Sequence, residues 1–372
     1  MKKKIGILTL PLNNNYGGML QAFALYQFLK NQNHDAYLIQ KEAYRPKWKR
    51  WTIGVLEKIP FQDLKKYRST AIKNKYHRPF IDEYISEKTK AIYTTKELEA
   101  VSLEHDFDAV IVGSDQVWRL EYIDDGYFSS YFLDFIKPPK TLKISYAASF
   151  GKDTWEDTGK APLVEELLHK FDAISTREIS GVQVCAQQFK LNECTHVLDP
   201  TLMVDRSVYD CFLTPPSNSQ NKILLTYILD HNQNKNNILD DVTNNLPKPH
   251  TLVQIYKDDQ HTPEFTVAQW VNLFADADFI VTDSFHGMVF SIIFNKQFVV
   301  IGNNNRGLAR FSSLLSMLGL ESRLVIDNAE YDIPGLMQQK IDYTVIESVL
   351  SNLKKQSKNF LESSLLISEQ KI

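Results

Sequence analysis

Thr282-Asp283-Ser284-Phe285-His286-Gly287 sets one histidine beside a serine and an aspartate, directly after the apolar run Phe279-Ile280-Val281. A histidine at a strand-to-helix turn can cap the helix, or it can move protons near neutral pH. The spacing is not G-x-S-x-G, and neighbours in sequence do not form a Ser-His-Asp triad. Ser284 and Gly287 shape the same turn and are candidate substrate contacts. A second segment, Ser175-Thr176-Arg177-Glu178, follows Ala173-Ile174. A cation at the start of a helix opposes the helix dipole, so Arg177 calls for an anionic partner, either Glu178 or a ligand. Its guanidinium fork suits a carboxylate or a phosphate.

Three more loops stand at predicted strand ends. In Gly113-Ser114-Asp115-Gln116-Val117-Trp118, Ser114 and Asp115 can cap a helix or line a cleft, where Asp115 would bond sugar hydroxyls or act as a base. In Asn15-Tyr16-Gly17-Gly18, the glycines let the backbone approach a ligand, and a following helix would offer free N–H groups to a phosphate or carboxylate. This is neither GxGxxG nor a Walker loop, so it supports no dinucleotide or P-loop reading. Gly302-Asn303-Asn304-Asn305-Arg306-Gly307 adds a second guanidinium and several amide donors, with Asn303 and Arg306 as candidate contacts. A plain turn would use the same Asn and Gly residues.

The elements that must position these loops alternate in type. Strands are predicted at Lys4–Leu10, Tyr37–Gln40, Asp108–Gly113, Leu142–Ala147, Ala173–Ser175 and His196–Leu198, with helices at Met19–Lys30 and Pro162–Phe171. Leu213-Thr-Pro-Pro-Ser-Asn-Ser-Gln-Asn221 reads as a linker. A second alternation follows, with strands at Lys222–Ile228, Thr251–Gln254, Phe279–Thr282 and Phe298–Ile301, and helices at Asn236–Asn245, Val267–Phe274, Gly287–Phe294 and Val345–Leu353. The expected fold is therefore α/β, with two doubly wound Rossmann-like domains facing a cleft: residues 1–212, a linker at 213–221, and residues 222–372. In such sheets ligands sit beyond the carboxyl ends of the strands, which is where the five loops fall.

At 372 residues and 43% hydrophobic, the chain is long enough for two cores and too apolar for disorder. Its net charge of −3 offers no global basic field for nucleic acid. Three cysteines without CxxC spacing make neither a disulfide framework nor a zinc knuckle, and no metal-ligand spacing is visible. The start, Met1-Lys2-Lys3-Lys4 then Ile5 to Leu12, reads as a first buried strand rather than a signal peptide, so a cytoplasmic location is expected. Lys41, Arg45, Lys47, Lys49 and Arg50 interleave with Tyr44, Trp48 and Trp51. This stretch is either a solvated insertion or a patch for acidic lipid head groups at the inner membrane face.

Taken together and in this order, Gly6-Ile7-Leu8-Thr9 with Asn15-Tyr16-Gly17-Gly18-Met19-Leu20-Gln21-Ala22, then Val112 to Trp118, Ser175 to Glu178 and Thr282 to Gly287 resemble the polysaccharide pyruvyl transferases. The resemblance runs from Ile5 to about Leu320. It implies a two-domain fold like that of the B-type glycosyltransferases. It also implies transfer of a pyruvyl group from phosphoenolpyruvate to two hydroxyls of one sugar, as a ketal, in cell-surface or exopolysaccharide biosynthesis. The family's S-x-R-[DE] arginine and S-x-H-G histidine map onto Arg177 and His286, which are then expected to approach one another across the domain boundary. Many members carry an acidic N-L-G-D-E loop after strand one, from which Asn15-Tyr16-Gly17-Gly18 departs.

Phosphoenolpyruvate is the implied donor substrate, with no cofactor. A saccharide is the implied acceptor, and in systems with this family it is commonly built on a membrane carrier. On that reading Arg177 clamps an anionic group and a helix N-terminus takes the other. Either His286 or Arg177 protonates the donor, and an ordinary histidine is the better acid. Two rivals share the cleft: a nucleotide-sugar glycosyltransferase of the same fold, and a non-catalytic carbohydrate-binding member, which would be expected to lack the arginine or the histidine.

Overall fold

The computed structural model describes residues 1–12, 15–44, 77–215, 222–256, 265–302, 307–327 and 329–367. The chain forms two compact units. Met1–Pro200 together with Ser357–Ile372 makes the first, and Thr201–Gln356 the second.

The first unit holds a six-stranded sheet: β1 (Lys4–Leu8), β2 (Asp35–Ile39), β3 (Ala109–Val112), β4 (Leu142–Ala148), β5 (Ala173–Thr176) and β6 (Cys194–His196). Their order is β2-β1-β3-β4-β5-β6, and every pairing is parallel. β3 reads Ala-Val-Ile-Val and is buried throughout, as a parallel strand covered on both faces must be. Helix α1 (Tyr16–Asn31) is apolar around most of its circumference and correspondingly buried. Helix α2 (Thr95–His105) opens on a capping box between Thr94 and Glu97. Helices α3 (Ala161–Leu168) and α4 (Ile179–Phe189) follow β4 and β5. Trp118 anchors the core, stacked on Phe132 at 5.6 Å between ring centroids.

The second unit holds five strands: β7 (Lys222–Ile228), β8 (His250–Tyr256), β9 (Phe279–Thr282), β10 (Gln297–Gly302) and β11 (Leu324–Ile326). Their order is β11-β10-β9-β7-β8, again parallel at every pairing. Its helices include α5 (Gln233–Asn245), α6 (Val267–Asp276), α7 (Phe285–Ile293), α8 (Ala309–Leu318) and α9 (Tyr343–Leu366). Trp270 and Phe274 pack edge to face on Tyr227, and Phe290 packs edge to face on Trp270, joining α6 and α7 to the sheet.

The expected pair of doubly wound sheets is therefore present. In each, the strand order reverses beside the first strand of the unit, between β1 and β3 and between β7 and β9. That reversal opens a crevice at the carboxyl ends of those strands.

The division between the units differs from the one expected at residues 212 and 222. Tyr209 packs on Phe290 at 5.1 Å, Arg206 lies over Phe294 at 5.3 Å, and Thr214 N donates to Asn272 Oδ1 at 2.8 Å. The segment after Pro200 thus belongs to the second unit, because its apolar side chains find their partners on α6 and α7. The far end of α9 belongs to the first unit, where Leu198 N donates to Ser357 Oγ at 2.9 Å. Residues 216–221 of the expected linker lie outside the described residues.

Among the described residues no helix is long and apolar enough to cross a membrane. In the basic, aromatic stretch, Lys41 is not a lipid-facing cation. It is buried, with its ammonium over the rings of Tyr131 at 4.8 Å and Tyr127 at 5.7 Å, and burial lowers its pKa. Residues 45–51 lie outside the described residues.

Candidate functional site

In the first unit the β1/β3 crevice is built by a hydrogen-bonded frame. Gln21, on the first turns of α1, donates to Thr9 Oγ1 at 2.9 Å and to Gly18 O at 2.8 Å, and its Oε1 accepts from Ser114 N at 2.8 Å. Thr9 Oγ1 in turn donates to Ser114 O at 3.2 Å. The end of β1 and the end of β3 are thereby tied by one amide side chain. Gly113 must be glycine, since its φ is +123° and a Cβ would lie 2.1 Å from Tyr146 O. Asp115 takes a φ of +68°, a left-handed conformation that aspartate tolerates better than most side chains.

That turn aims Ser114 and Asp115 at Arg177, which extends from the end of β5. Arg177 Nη1 donates to Asp199 Oδ2 at 2.8 Å, and its Nη2 lies 3.7 Å from Asp115 Oδ1. Ser114 Oγ donates to the same Asp199 oxygen at 3.0 Å. Asn15 Nδ2 donates to Asp115 Oδ2 at 3.3 Å. Glu178 Oε1 accepts from Phe150 N at 2.9 Å and from Gly151 N at 3.4 Å. Burial works to lower the pKa of Arg177, but Asp199, Asp115 and Glu178 outweigh it, and the net direction is up.

The anion sought for Arg177 is therefore Asp199 together with Asp115, rather than Glu178 alone. Sequence reasoning missed Asp199. The available signal was a carboxylate at a strand exit, in Leu198-Asp199-Pro200. Ser114 and Asp115 start no regular helix; they stand just past the carboxyl end of β3. Tyr16, Gly17 and Gly18 are not in a loop. They form the first turn of α1, three residues earlier than expected, and are buried. Tyr16 packs edge-on to His77 at 4.8 Å, and burial raises its pKa.

In the second unit the β7/β9 crevice is held by a buried ion pair. Lys235, on the first turn of α5, donates to Asp283 Oδ2 at 2.6 Å and to Asp230 O at 2.8 Å. Asp283 Oδ1 and Oδ2 also accept from Leu229 N at 2.6 Å and Asp230 N at 3.2 Å. Both side chains of the pair are at most 2% exposed. Asp283 thereby fastens the end of β9 to the end of β7.

Immediately after it, Ser284 is the N-cap of α7, with Oγ accepting from Gly287 N at 3.4 Å. The helix starts at Phe285, two residues before the expected start, so His286 lies in its first turn and is buried. Gly287 is required there, because a Cβ would lie 2.3 Å from Thr282 Oγ1. That hydroxyl is already engaged, donating to Tyr227 O at 2.7 Å and accepting from Ser284 N at 3.0 Å. Arg310, which sequence reasoning passed over, places its guanidinium 5.8 Å from the ring of Phe285 and is buried. Nothing in the spacing from Arg306 pointed to it. Asn303 and Arg306 lie outside the described residues. Among the described residues, no three His, Cys, Asp or Glu side chains gather as metal ligands.

A family model described as polysaccharide pyruvyl transferase matches residues 15–305. No curated protein matches the chain significantly. Among solved structures, a putative UDP-N-acetylglucosamine 2-epimerase from Listeria monocytogenes is similar at TM-score 0.51 and 9% identity, over 100% of this chain and 98% of that one. The glycotransferase of kitacinnamycin gives TM-score 0.48 and 13% identity, over 100% and 99%. The UDP-N-acetylglucosamine 2-epimerase from Rickettsia bellii gives 0.49 and 10%, over 98% and 97%. At these identities the likeness to the Listeria protein concerns the fold alone.

Proposed function

Because the chain belongs to the polysaccharide pyruvyl transferase family, we propose that it transfers the pyruvyl group of phosphoenolpyruvate to two hydroxyls of a saccharide, forming a ketal and releasing phosphate. The observation that carries this reading is that the family match spans both Arg177, directly after β5, and His286, in the first turn of the helix that follows β9.

An acid adds a proton to C3 of the enol, which becomes a methyl group and leaves C2 electron-deficient. One sugar hydroxyl attacks C2 and gives up its proton, restoring the acid. The second hydroxyl attacks C2 as the C2–O bond to phosphate breaks, and its proton leaves with the phosphate. His286 is assigned the acid role and regains its proton from the first hydroxyl, and Asp115 is assigned the relay of the second hydroxyl's proton to the departing phosphate.

Arg177 is assigned an oxyanion of the donor. Its fork is engaged by Asp199, so donor binding requires that the donor's oxyanion displace or share that contact.

The deciding experiment incubates the purified chain with phosphoenolpyruvate and a panel of free, nucleotide-linked and lipid-linked saccharides. Phosphate release matched by a product carrying one pyruvyl ketal supports the reading. Loss of both in His286→Asn, with the fold retained, supports the acid assignment. Turnover of a nucleotide sugar in place of phosphoenolpyruvate would refute the donor.

A further inference from the structure

The first unit carries a cavity of about 420 Å³ that the donor chemistry leaves unused. It lies past the carboxyl ends of β3 and β4, between the segment from Trp118 to Glu121 and the segment from Phe150 to Thr158. Its size falls within the roughly 300–1,000 Å³ typical of small-molecule sites.

The cavity is wired to the crevice already described. Gln116 Oε1, one residue from Asp115, accepts from Arg119 Nη1 at 3.0 Å. Trp118 N donates to Ser149 O at 3.1 Å, and Ser149 N donates to Asp115 O at 3.1 Å. Phe150 and Gly151 supply the N–H groups that bond Glu178.

Its lining is apolar at the floor and charged at the rim. Trp118 and Phe150 are buried. Trp155 is half-buried and stands perpendicular to Phe150 at 6.0 Å, and edge-on to Phe189 at 5.3 Å. At the rim, Lys152 joins Glu121 at 2.6 Å and also pairs with Glu156, while Arg119 holds Glu121 through Nε at 2.9 Å and Nη2 at 2.7 Å. These partners keep Glu121 ionised, holding its pKa below the usual carboxylate value. An ionised carboxylate is purely an acceptor, so it recognises hydroxyl donors.

With Lys160, which pairs with Asp157 at 2.6 Å, three cations (Arg119, Lys152, Lys160) balance the three carboxylates of the rim (Glu121, Glu156, Asp157). A charge-balanced rim has no excess of either sign to attract a phosphate or a cation, and so favours a neutral ligand. A neutral sugar ring suits this lining: its C–H face can rest on Trp155 and its hydroxyls can donate to the rim carboxylates.

We propose that this pocket binds the sugar ring of the acceptor, a neutral saccharide. The word acceptor rests on the pyruvyl-transfer reading; the binding of a neutral saccharide does not.

The test uses the full chain with methyl glucoside, methyl galactoside and methyl mannoside as neutral probes, and inorganic phosphate and phosphoenolpyruvate as anionic ones. Saturation transfer from protein to ring protons reports binding. At least one glycoside should bind, and Trp155→Ala should weaken it at least tenfold. Trp155 packs on two phenylalanines, so the double variant Glu121→Gln/Glu156→Gln, confined to the exposed rim, provides a second test with the same expected loss. In both variants the thermal stabilisation given by the anionic probes should be unchanged. Absence of binding by all three glycosides, or glycoside binding untouched in the rim variant, overturns the proposal. Phosphate release is measured separately, so failure of pyruvyl transfer with intact glycoside binding would remove the acceptor role and keep the saccharide site.

Discussion

Arg177 and Asp199 form an ion pair with both side chains at most 1% exposed, joining the ends of β5 and β6. Two charges withdrawn this far from water are tolerable only because each compensates the other. Ser114 adds a hydroxyl to the same aspartate oxygen, so the turn after β3 is held by the pair as well.

Removing one partner should therefore cost far more than a surface pair would. Asp199→Ala is expected to destabilise the chain by about 3–5 kcal/mol, because it leaves Arg177 buried with poorer compensation. Urea unfolding of parent and variant measures it. Any loss of activity in Asp199→Ala or Arg177→Ala is interpretable only beside that measurement.

The pair Lys235–Asp283 predicts a coupling in the second unit. Lys235→Met should destabilise by about 3–5 kcal/mol, whereas Lys235→Met with Asp283→Asn should recover part of that loss, since no uncompensated charge then remains. A double-mutant cycle in urea checks it, and additive losses would contradict the argument.

Gly287→Ala should disturb the His286 turn without touching the imidazole. The added methyl would displace Thr282 Oγ1, which bonds both Tyr227 O and Ser284 N. A cost of about 1–3 kcal/mol is expected from the overpacking. A Tm shift of similar size in Thr282→Val, which removes the same hydroxyl, would tie the effect to that contact.

A pH dependence follows from His196. Burial lowers its pKa, and its Nε2 is 3.1 Å from Arg177 O. The unfolded chain then binds the proton more readily than the native one. The stability this site contributes is complete above the unfolded value of about 6.5, and is lost as pH falls below it towards the depressed native value. Unfolding free energies measured from pH ~7.5 down to ~5 should decline less in His196→Gln than in the parent.

Much of the fold was legible because parallel strands buried on both faces must be short apolar runs. Lys222–Ile228 and Phe279–Thr282 match the structure to the residue. Boundaries failed where tertiary contacts overrode local punctuation. The paired prolines after Leu213 marked a loop, but the unit boundary depends on which helices bury Tyr209 and Phe212, and spacing carries no record of that. Gly17 and Gly18 read as a loop by composition. They are helical because α1 is enclosed by the core, where small side chains pack closely and tertiary burial offsets poor helix propensity.

The sequence by itself determined that Arg177 and His286 follow strands, because a short apolar run followed by polar residues can be read one segment at a time. It also determined that Arg177 needs an anion, since a guanidinium beside a helix start is electrostatically misplaced alone. Only the tertiary structure decided which anion. Asp115 and Asp199 are separated by many residues and meet Arg177 because parallel pairing brings the ends of β3, β5 and β6 to one edge of the sheet. Lys235 and Asp283 meet for the same reason beside β7 and β9. Strand order is set by the packing of whole faces, and no local pattern encodes it.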